Sequence, residues 1–273
     1  MSLFLLFVAC KPPVDAPKEI DDLSAYMYAN FDGNGTDGDG ALPAAVITLE
    51  DYLLTLDLAL SSDVDDRAVS LSALTAADLD GTAAPDGVDL TAQVGVAVSA
   101  ETPLTMQQEV AMIMDTNQVC IASDSTAYHK VNVLSGGDCF ADGECDLLET
   151  SNEFLIDSIS DGWLDTFKDY RWVTLEDDRK AVVSREWMPN VAPATSGDNS
   201  WDQRFAVVVW LPSDDGSKTY RYYAIWSSVT TILTDDLYAN MVKDGLDDYY
   251  NNTVAFSNGE ECDKDRDREY DRE

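Results

Sequence analysis

The chain has 273 residues, of which 45% are hydrophobic and 10% aromatic, enough for one large domain or two small ones with a sizeable core. Its 52 acidic residues outnumber 17 basic ones and give a formal net charge of −35, which repels phosphate backbones and anionic lipid headgroups. Nucleic acid is therefore excluded as an expected partner, and no apolar run reaches the ~20 residues of a membrane-spanning helix.

A short apolar run at the N-terminus ends at a cysteine. Residues 3–9 (LFLLFVA) are too few to cross a bilayer but have the length of a signal-peptide core. The last two, Val8 and Ala9, precede Cys10 in a pattern that resembles the lipobox of bacterial lipoproteins, with Phe7 where leucine is usual. No Lys or Arg precedes the run, which is a second departure from that pattern.

The lipobox resemblance implies where the protein resides. Residues 1–9 would be removed as a signal peptide, and Cys10 would carry the lipid that anchors the chain to a membrane of the bacterial cell envelope. Lys11 in place of aspartate favours the outer membrane, with the domain in the periplasm or at the cell surface. The alternative is a buried apolar segment with a free thiol. The chain also resembles uncharacterised secreted lipoproteins, a likeness that implies no activity.

Four further cysteines follow, and an even number in an exported chain favours disulfides. Cys139 and Cys145 flank an Asp-Gly turn signal, so we expect them to pair. By default Cys120 then pairs with Cys262, which ties the end of the chain to its middle. Metal binding by thiolates is the weaker alternative, because the chain has no C-x-x-C motif and one histidine.

Composition divides the rest of the chain. Residues 10–45 predict a flexible acidic tether, because proline, glycine and aspartate predominate there. A few aromatic residues within 19–31 are expected to dock on the domain that follows. We expect a single α+β domain over residues 46–258 and a charged, solvated tail over residues 259–273.

The tether also contains oxygen donors that suit calcium: Asp32, Asn34, Asp37 and Asp39. An EF-hand register fails, because Asp37 stands where glycine is required and Pro43 where glutamate is required. A loose calcium site therefore stands as the alternative to a plain acidic linker. Glycines in the same run are spaced as in a dinucleotide fingerprint, but the aspartates around them would repel phosphate, so we expect no cofactor.

Hydrophobic periodicity predicts mostly strands after the tether. Residues 52–60 alternate with period two and favour a strand, with a helix from Thr48 as the alternative. Thr105 and Gln108 form a capping-box pattern, which predicts a helix with Val110 on its apolar face. The other predicted strands are 69–73, 89–99, 119–122, 126–134, 152–160, 167–176, 180–189, 204–212 and 219–230.

The end of the chain gives the fold class. Residues 204–211 are apolar on both faces, as in a central strand, and residues 235–251 predict an amphipathic helix. This order of a strand, a helix, an antiparallel meander and a long helix is similar to the helix-grip fold of START and polyketide-cyclase-like proteins over residues 89–255. The resemblance implies an α+β fold in which a curved antiparallel sheet packs on the C-terminal helix and leaves a cavity, here with additional N-terminal strands.

Charged and aromatic residues in adjacent strands are candidates for ligand binding, since a guanidinium group holds an anion and aromatic rings line clefts. Arg185 and Glu186 interrupt an apolar strand, and Tyr223 belongs to the aromatic cluster. Solvent exposure of the charges and core packing of the rings are the alternatives. The candidate set is Arg171, Trp172, Arg185, Trp187, Trp210, Tyr222 and Trp226.

Catalytic chemistry has little support. His129 is the only histidine, so catalytic triads and histidine zinc sites are incomplete, and we expect a hydrogen-bonded core histidine rather than a general base. With 52 acids, any carboxylate pair can be nominated, so a carboxylate-dependent hydrolase is an unspecific alternative. The leading hypothesis is a non-enzymatic, lipid-anchored protein that binds a small apolar or amphipathic molecule in the cavity. A surface-interaction or structural lipoprotein without a ligand is the other alternative.

Overall fold

A computed structural model describes residues 15–34, 40–79, 81–157, 161–175, 177–195, 199–231, 233–262 and 264. The predicted signal peptide and Cys10 lie outside these residues, as do Asp37 and Asp39. Within the described ranges, no helix is both long and apolar enough to cross a membrane.

The strands form one antiparallel sheet: β1 (Ala68–Leu71), β2 (Val94–Thr102), β3 (Thr126–Ser135), β4 (Leu147–Ile156), β5 (Gly162–Thr174), β6 (Lys180–Trp187), β7 (Ala192–Pro193), β8 (Ser200–Pro212) and β9 (Thr219–Thr230). Their order across the sheet is β1-β2-β9-β8-β6-β5-β4-β3, with β7 paired to β8. The predicted α+β class with an antiparallel meander is confirmed.

Strand β8 lies in the middle of the sheet, between β6 and β9. Its residues Phe205 to Leu211 are buried without exception, so both faces of the strand are covered. Helices on the two faces account for this: alternate side chains of β8 belong to two separate hydrophobic clusters. A strand that is buried on both faces has a continuous run of apolar residues, and this pattern predicted a central strand here.

One face of the sheet packs against the C-terminal helix. Helix α5 (Asp235–Ser257) begins at Thr234, whose hydroxyl accepts a hydrogen bond from the backbone N–H of Leu237. Leu246 and Tyr250 of this helix join the cluster on that face. Helix α3 (Met106–Ile113) packs beside it and has the predicted capping box.

The opposite face packs against two helices at the start of the described chain, α1 (Ile20–Ala29) and α2 (Ala41–Leu53). Several of their apolar side chains are fully buried, among them Leu23, Tyr28 and Leu49. The prediction of a flexible tether over residues 10–45 is therefore wrong for residues 20–29 and 41–45. Spacings of three and four residues between the buried positions give each helix an apolar stripe that the sheet covers.

Two predicted strands are absent from the part of the chain that the structure describes. Residues 52–60 contain the end of α2 and then turns, because Leu49 and Leu53 follow the helical spacing and the sheet buries them. Among the period-two leucines that follow, Leu58 accepts one backbone hydrogen bond from Glu101 of β2 at 2.8 Å, but residues 54–60 form no strand. Residues 119–122 form a turn, which pairs its backbone within itself and leaves Val119 and Ile121 buried.

Two disulfides join the four cysteines that follow Cys10, in the pairs expected from the sequence. Cys139 and Cys145 are linked around the short helix α4 (Gly137–Phe140). Cys120 is linked to Cys262, which closes a loop of 142 residues in sequence separation and fixes the chain end beyond α5.

A buried ion pair attaches α3 to the sheet. Arg221 of β9 donates from Nε to Glu109 Oε1 at 2.9 Å and from a second nitrogen to Glu109 Oε2, and it also donates to Thr253 of α5 at 3.2 Å. Both charged side chains are fully buried. Each carboxylate oxygen therefore has a donor, which is the condition under which a buried pair is tolerated.

Candidate ligand-binding cavity

A cavity of about 160 Å³ lies between the sheet and α5. This volume fits one aromatic ring, since a cavity of about 150 Å³ lined by apolar side chains binds benzene. The apolar side chains that line it come from both walls: Phe154, Ile156, Leu164, Trp201 and Ile225 from the sheet, and Met241, Val242 and Leu246 from the helix. The predicted cavity under the C-terminal helix is present.

Alternation along the strands decides which side chains reach this cavity. Successive side chains of a strand point to opposite faces of the sheet. Lys168 of β5 and Glu186 of β6 are direct cross-strand partners, and both point towards α5. Arg204 of β8 and Tyr223 of β9 point the same way. The sheet thus supplies the charged groups of the cavity, whereas α5 supplies apolar side chains together with Tyr238 and Tyr249.

Two cations on the sheet, Lys168 and Arg204, contact the same carboxylate, that of Glu186. The Glu186 side chain is 1% exposed and receives a hydrogen bond from Arg204 Nε at 2.7 Å on Oε1. Its other oxygen, Oε2, lies 3.5 Å from Lys168 Nζ. Burial alone would raise the pKa of Glu186, but Arg204 and Lys168 outweigh burial and hold that pKa below its ordinary value. Glu186 is therefore ionised at neutral pH and bridges the two cations.

The ammonium group of Lys168 is surrounded by aromatic rings. Nζ lies 5.3 Å from the ring centre of Tyr170, 5.8 Å from that of Tyr223 and 5.9 Å from that of Trp210. Cation–π attraction to these rings offsets part of the cost of burying the charge. Burial nevertheless lowers the pKa of Lys168 from its ordinary value, and repulsion from Arg204 adds to the decrease.

His129 is a buried, neutral member of the cavity wall. Its Nε2 donates to Asn152 Oδ1 at 3.3 Å, and its ring packs on Phe154 with 4.1 Å between ring centres. Burial lowers the pKa of His129 to about 3, and the positive charges of Lys168 and Arg204 act in the same direction. This is the hydrogen-bonded core histidine that the sequence favoured. It also lines the cavity, which the sequence did not predict.

The cavity opens beside Met241 of α5, which is 39% exposed and also lines the cavity. A loop, residues 122–126, faces this helix and contributes Ser123 to the lining. Asn252 and Lys264 donate to the carbonyl group of Ala122, at 2.9 Å and 3.2 Å. These bonds and the Cys120–Cys262 disulfide hold the loop against the end of α5.

None of the seven ligand-binding candidates lines this cavity, and five of them lie on the opposite face of the sheet: Arg171, Arg185, Trp187, Tyr222 and Trp226. Arg171 and Arg185 pair with Asp32 at 3.0 Å and 3.1 Å and lie over the ring of Phe31. They hold the connection after α1 on the sheet, so their role as ligand donors in the cavity is corrected.

The aromatic candidates on that face are also engaged by the N-terminal layer or its neighbours. Tyr222 shares a hydrogen bond of 2.5 Å with Ser24 of α1, and Trp226 Nε1 donates to Ser72 O at 2.9 Å. Trp187 packs on Phe167 with 5.6 Å between ring centres. Core packing, the alternative given for these rings, is what the structure shows.

Trp172 and Trp210 lie on the same face as the cavity but outside its lining. Trp172 Nε1 donates to the backbone carbonyl of Phe140 at 2.8 Å, so it anchors the short disulfide loop. Trp210 is buried and contributes its ring to the surroundings of Lys168.

Two of the four residues proposed to bind calcium make other contacts in the structure. The Asp32 carboxylate is paired with two guanidinium groups, which compete with any cation. Asn34 donates through Nδ2 to Trp172 O at 3.0 Å. Asp37 and Asp39 lie outside the described residues, and among those described no group of three or more His, Cys, Asp or Glu could hold a metal ion.

No protein-family model and no curated protein matches this chain. Among solved structures, a STAR-related lipid transfer protein from Xanthomonas axonopodis is similar at a TM-score of 0.42 and 11% identity, over 60% of this chain and 86% of that one. A START superfamily protein from Mycobacterium smegmatis gives 0.38 and 9% over 60% and 97% of the two chains. The Zhui aromatase/cyclase from Streptomyces gives 0.38 and 11% over 61% and 94%. At these values the likeness carries no information about ligand or activity.

Proposed function

We propose that this protein is a non-enzymatic binding protein that holds one small, mostly apolar molecule in the cavity between the sheet and α5. The observation that carries this proposal is the cavity itself, a concave site lined mostly by apolar side chains with a few convergent polar groups, as ligand sites commonly are.

The lining matches an amphipathic molecule. Aliphatic and aromatic side chains from both walls would cover an apolar body, and the polar groups of Lys168, Glu186, Arg204 and Tyr223 would orient it. Ligand sites commonly combine such an apolar lining with a few convergent polar groups. Because the cavity opens beside Met241, a ligand longer than one ring would extend towards solvent.

The hydrolase alternative lacks its second acid in this cavity. Among the described residues that line it, Glu186 is the one carboxylate, and it is held between two cations. Glycoside hydrolysis requires two carboxyl groups that flank the scissile bond. A binding role therefore accounts for the lining better than a carboxylate-dependent hydrolase does.

A matched pair of substitutions on α5 tests the site. Met241→Trp narrows the mouth, whereas Leu237→Trp adds the same bulk one turn earlier, at a residue that is 54% exposed and outside the lining. The probe is 2-phenylethanol, titrated into the purified protein and followed by NMR. We expect saturable one-to-one binding that Met241→Trp weakens at least about fivefold and Leu237→Trp leaves unchanged. Absence of saturable binding, or equal effects of both variants, would refute the proposed cavity function.

We also propose that the protein is exported and anchored by a lipid on Cys10, at the outer membrane of a bacterial cell envelope. Support comes from the lipobox pattern in the sequence and from the two disulfides, which persist in oxidising compartments and are rare in the cytosol. The test is Cys10→Ala in the full chain. The variant should move from the membrane fraction to the soluble fraction of the cell, and unchanged membrane retention would count against the anchor.

A further inference from the structure

The charges around the cavity do not balance. Lys168 and Arg204 each carry one positive charge, and Glu186 carries the one negative charge among the described residues of the lining. His129 adds none, because burial keeps it neutral. With Lys168 protonated beside Glu186, the wall of the cavity therefore carries a net charge of +1, in a chain whose overall charge is −35.

This surplus charge is buried. The Lys168 side chain is 11% exposed and that of Arg204 is 19% exposed, while the Glu186 carboxylate is already shared between them. An uncompensated charge away from water is costly. An opposite charge nearby reduces that cost, because the attraction between the two is strong in the low-dielectric interior. The aromatic rings around Lys168 reduce this cost, but they bring no negative charge.

Hydrogen-bond donors remain for such a charge. Arg204 donates from Nε to Glu186 and from Nη2 to the Tyr223 hydroxyl at 3.1 Å. Its Nη1 donates to no side chain of the described residues and remains for a ligand. Lys168 has three N–H donors and one acidic partner at 3.5 Å in the described part of the chain. The Tyr223 hydroxyl, which accepts from Arg204, can donate its own proton.

We infer that the ligand of this cavity carries a single carboxylate, bound by Lys168 and Arg204, on an apolar body the size of about one aromatic ring. The inference rests on the proposed binding function and specifies its ligand class. A ligand with one negative charge gives the cluster two positive and two negative charges, so its net charge becomes zero. A dianion such as a phosphate monoester would give it a net negative charge. An amine would add a third cation.

The negative surface of the protein does not prevent this binding. Surface charges are screened beyond ~8 Å at physiological ionic strength, whereas the two cations act on a ligand at contact distance in a medium of low dielectric constant. The net charge of the chain therefore slows the approach of an anion, and the local cations set its affinity.

The test compares three probes with the same skeleton: phenylacetate, 2-phenylethanol and 2-phenylethylamine, each titrated into the wild-type protein by NMR at neutral pH. We expect phenylacetate to bind about tenfold or more tightly than the alcohol, and the amine to bind most weakly. Equal or tighter binding of the alcohol would overturn the carboxylate inference and leave the cavity function intact. Failure of all three to bind would instead contradict the cavity function.

Substitutions assign the preference to its residues. Lys168→Met replaces the ammonium with an apolar group of similar length and should reduce the acid-to-alcohol affinity ratio about tenfold, whereas Lys168→Arg keeps the charge and should retain most of the ratio. Lys218→Met removes an exposed lysine that pairs with Glu101 and does not line the cavity, and it serves as the matched control. An unchanged ratio in folded Lys168→Met would overturn the assignment, and the wild-type ratio tests the ligand class even where a variant does not fold.

Discussion

Acid should destabilise this protein through His129. The side chain is 8% exposed, packs on Phe154 and donates to Asn152, and burial lowers its pKa to about 3. In the unfolded chain the same group titrates near ~6.5. Between these two pKa values the unfolded state binds a proton that the folded state does not. Stability therefore falls as the pH falls below about 6.5.

The size of the effect follows from the pKa difference. Each decrease of one pH unit in this interval lowers the free energy of unfolding by about 1.4 kcal/mol. Protonation of His129 in the unfolded state therefore lowers that free energy by about 2 kcal/mol between about pH 7.5 and about pH 5. His129→Gln abolishes the titration and keeps an N–H donor for Asn152. The variant should cost some packing energy at both pH values, but the gap between it and wild type should close by about 2 kcal/mol at the lower pH.

Urea unfolding of both proteins at the two pH values measures this gap, provided that both have the same m value. The comparison cancels other titrating groups, including Asp169, whose pKa burial raises to about 6. Its raised folded pKa gives stability at low pH that is lost as the pH rises through about 6, opposite in sign to the contribution of His129. A gap that stays constant within about 0.5 kcal/mol would refute a buried, neutral His129.

Three further changes have defined expectations in the same unfolding assay. Gly245→Ala should stabilise the protein by about 0.5–1 kcal/mol, because a Cβ there would meet its nearest neighbour at an ordinary 3.7 Å and alanine favours helix; a loss of stability would contradict the placement of α5. Arg221→Met should cost about 3–5 kcal/mol by leaving a buried glutamate unpaired, whereas the exposed Lys218→Met should have a much smaller effect; similar costs would refute the buried pair. Cys262→Ser should cost about 2–4 kcal/mol and more than Cys145→Ser, because it opens the longer loop; the reverse order would contradict the constraint described for the chain end.

Much of the fold is predictable from the sequence because its central elements are periodic. Alternating apolar residues place most strands of the meander, and the Thr105–Gln108 capping box marks the start of α3. The stretch 52–60 misleads, because its leucines satisfy both periods and only packing on the sheet selects the helix that ends at Leu53. Helices α1 and α2 were obscured by their acidic and proline-containing surroundings, although the aromatic residues expected to dock do so.

The face of the sheet on which a side chain lies was not predictable. Helices cover both faces, so the central strands are apolar throughout, and alternation fixes two faces without identifying the one beneath α5. The predicted ligand contacts are Arg185 and Trp187, whereas the side chain between them, Glu186, reaches the cavity. The available signal for Glu186 is a charged residue within an apolar strand, whereas Lys168 lies among other charged residues of β5 and gives no such signal.

The position of a bound ligand tests the central claim most directly. An isotope-filtered NOE spectrum of labelled protein with 2-phenylethanol should connect the ligand protons to side-chain protons of Leu164, Val242 and Leu246, which line the cavity from opposite walls. Contacts confined to exposed apolar side chains such as Val133 and Leu134, without any to those three residues, would contradict a ligand-binding cavity beneath the C-terminal helix.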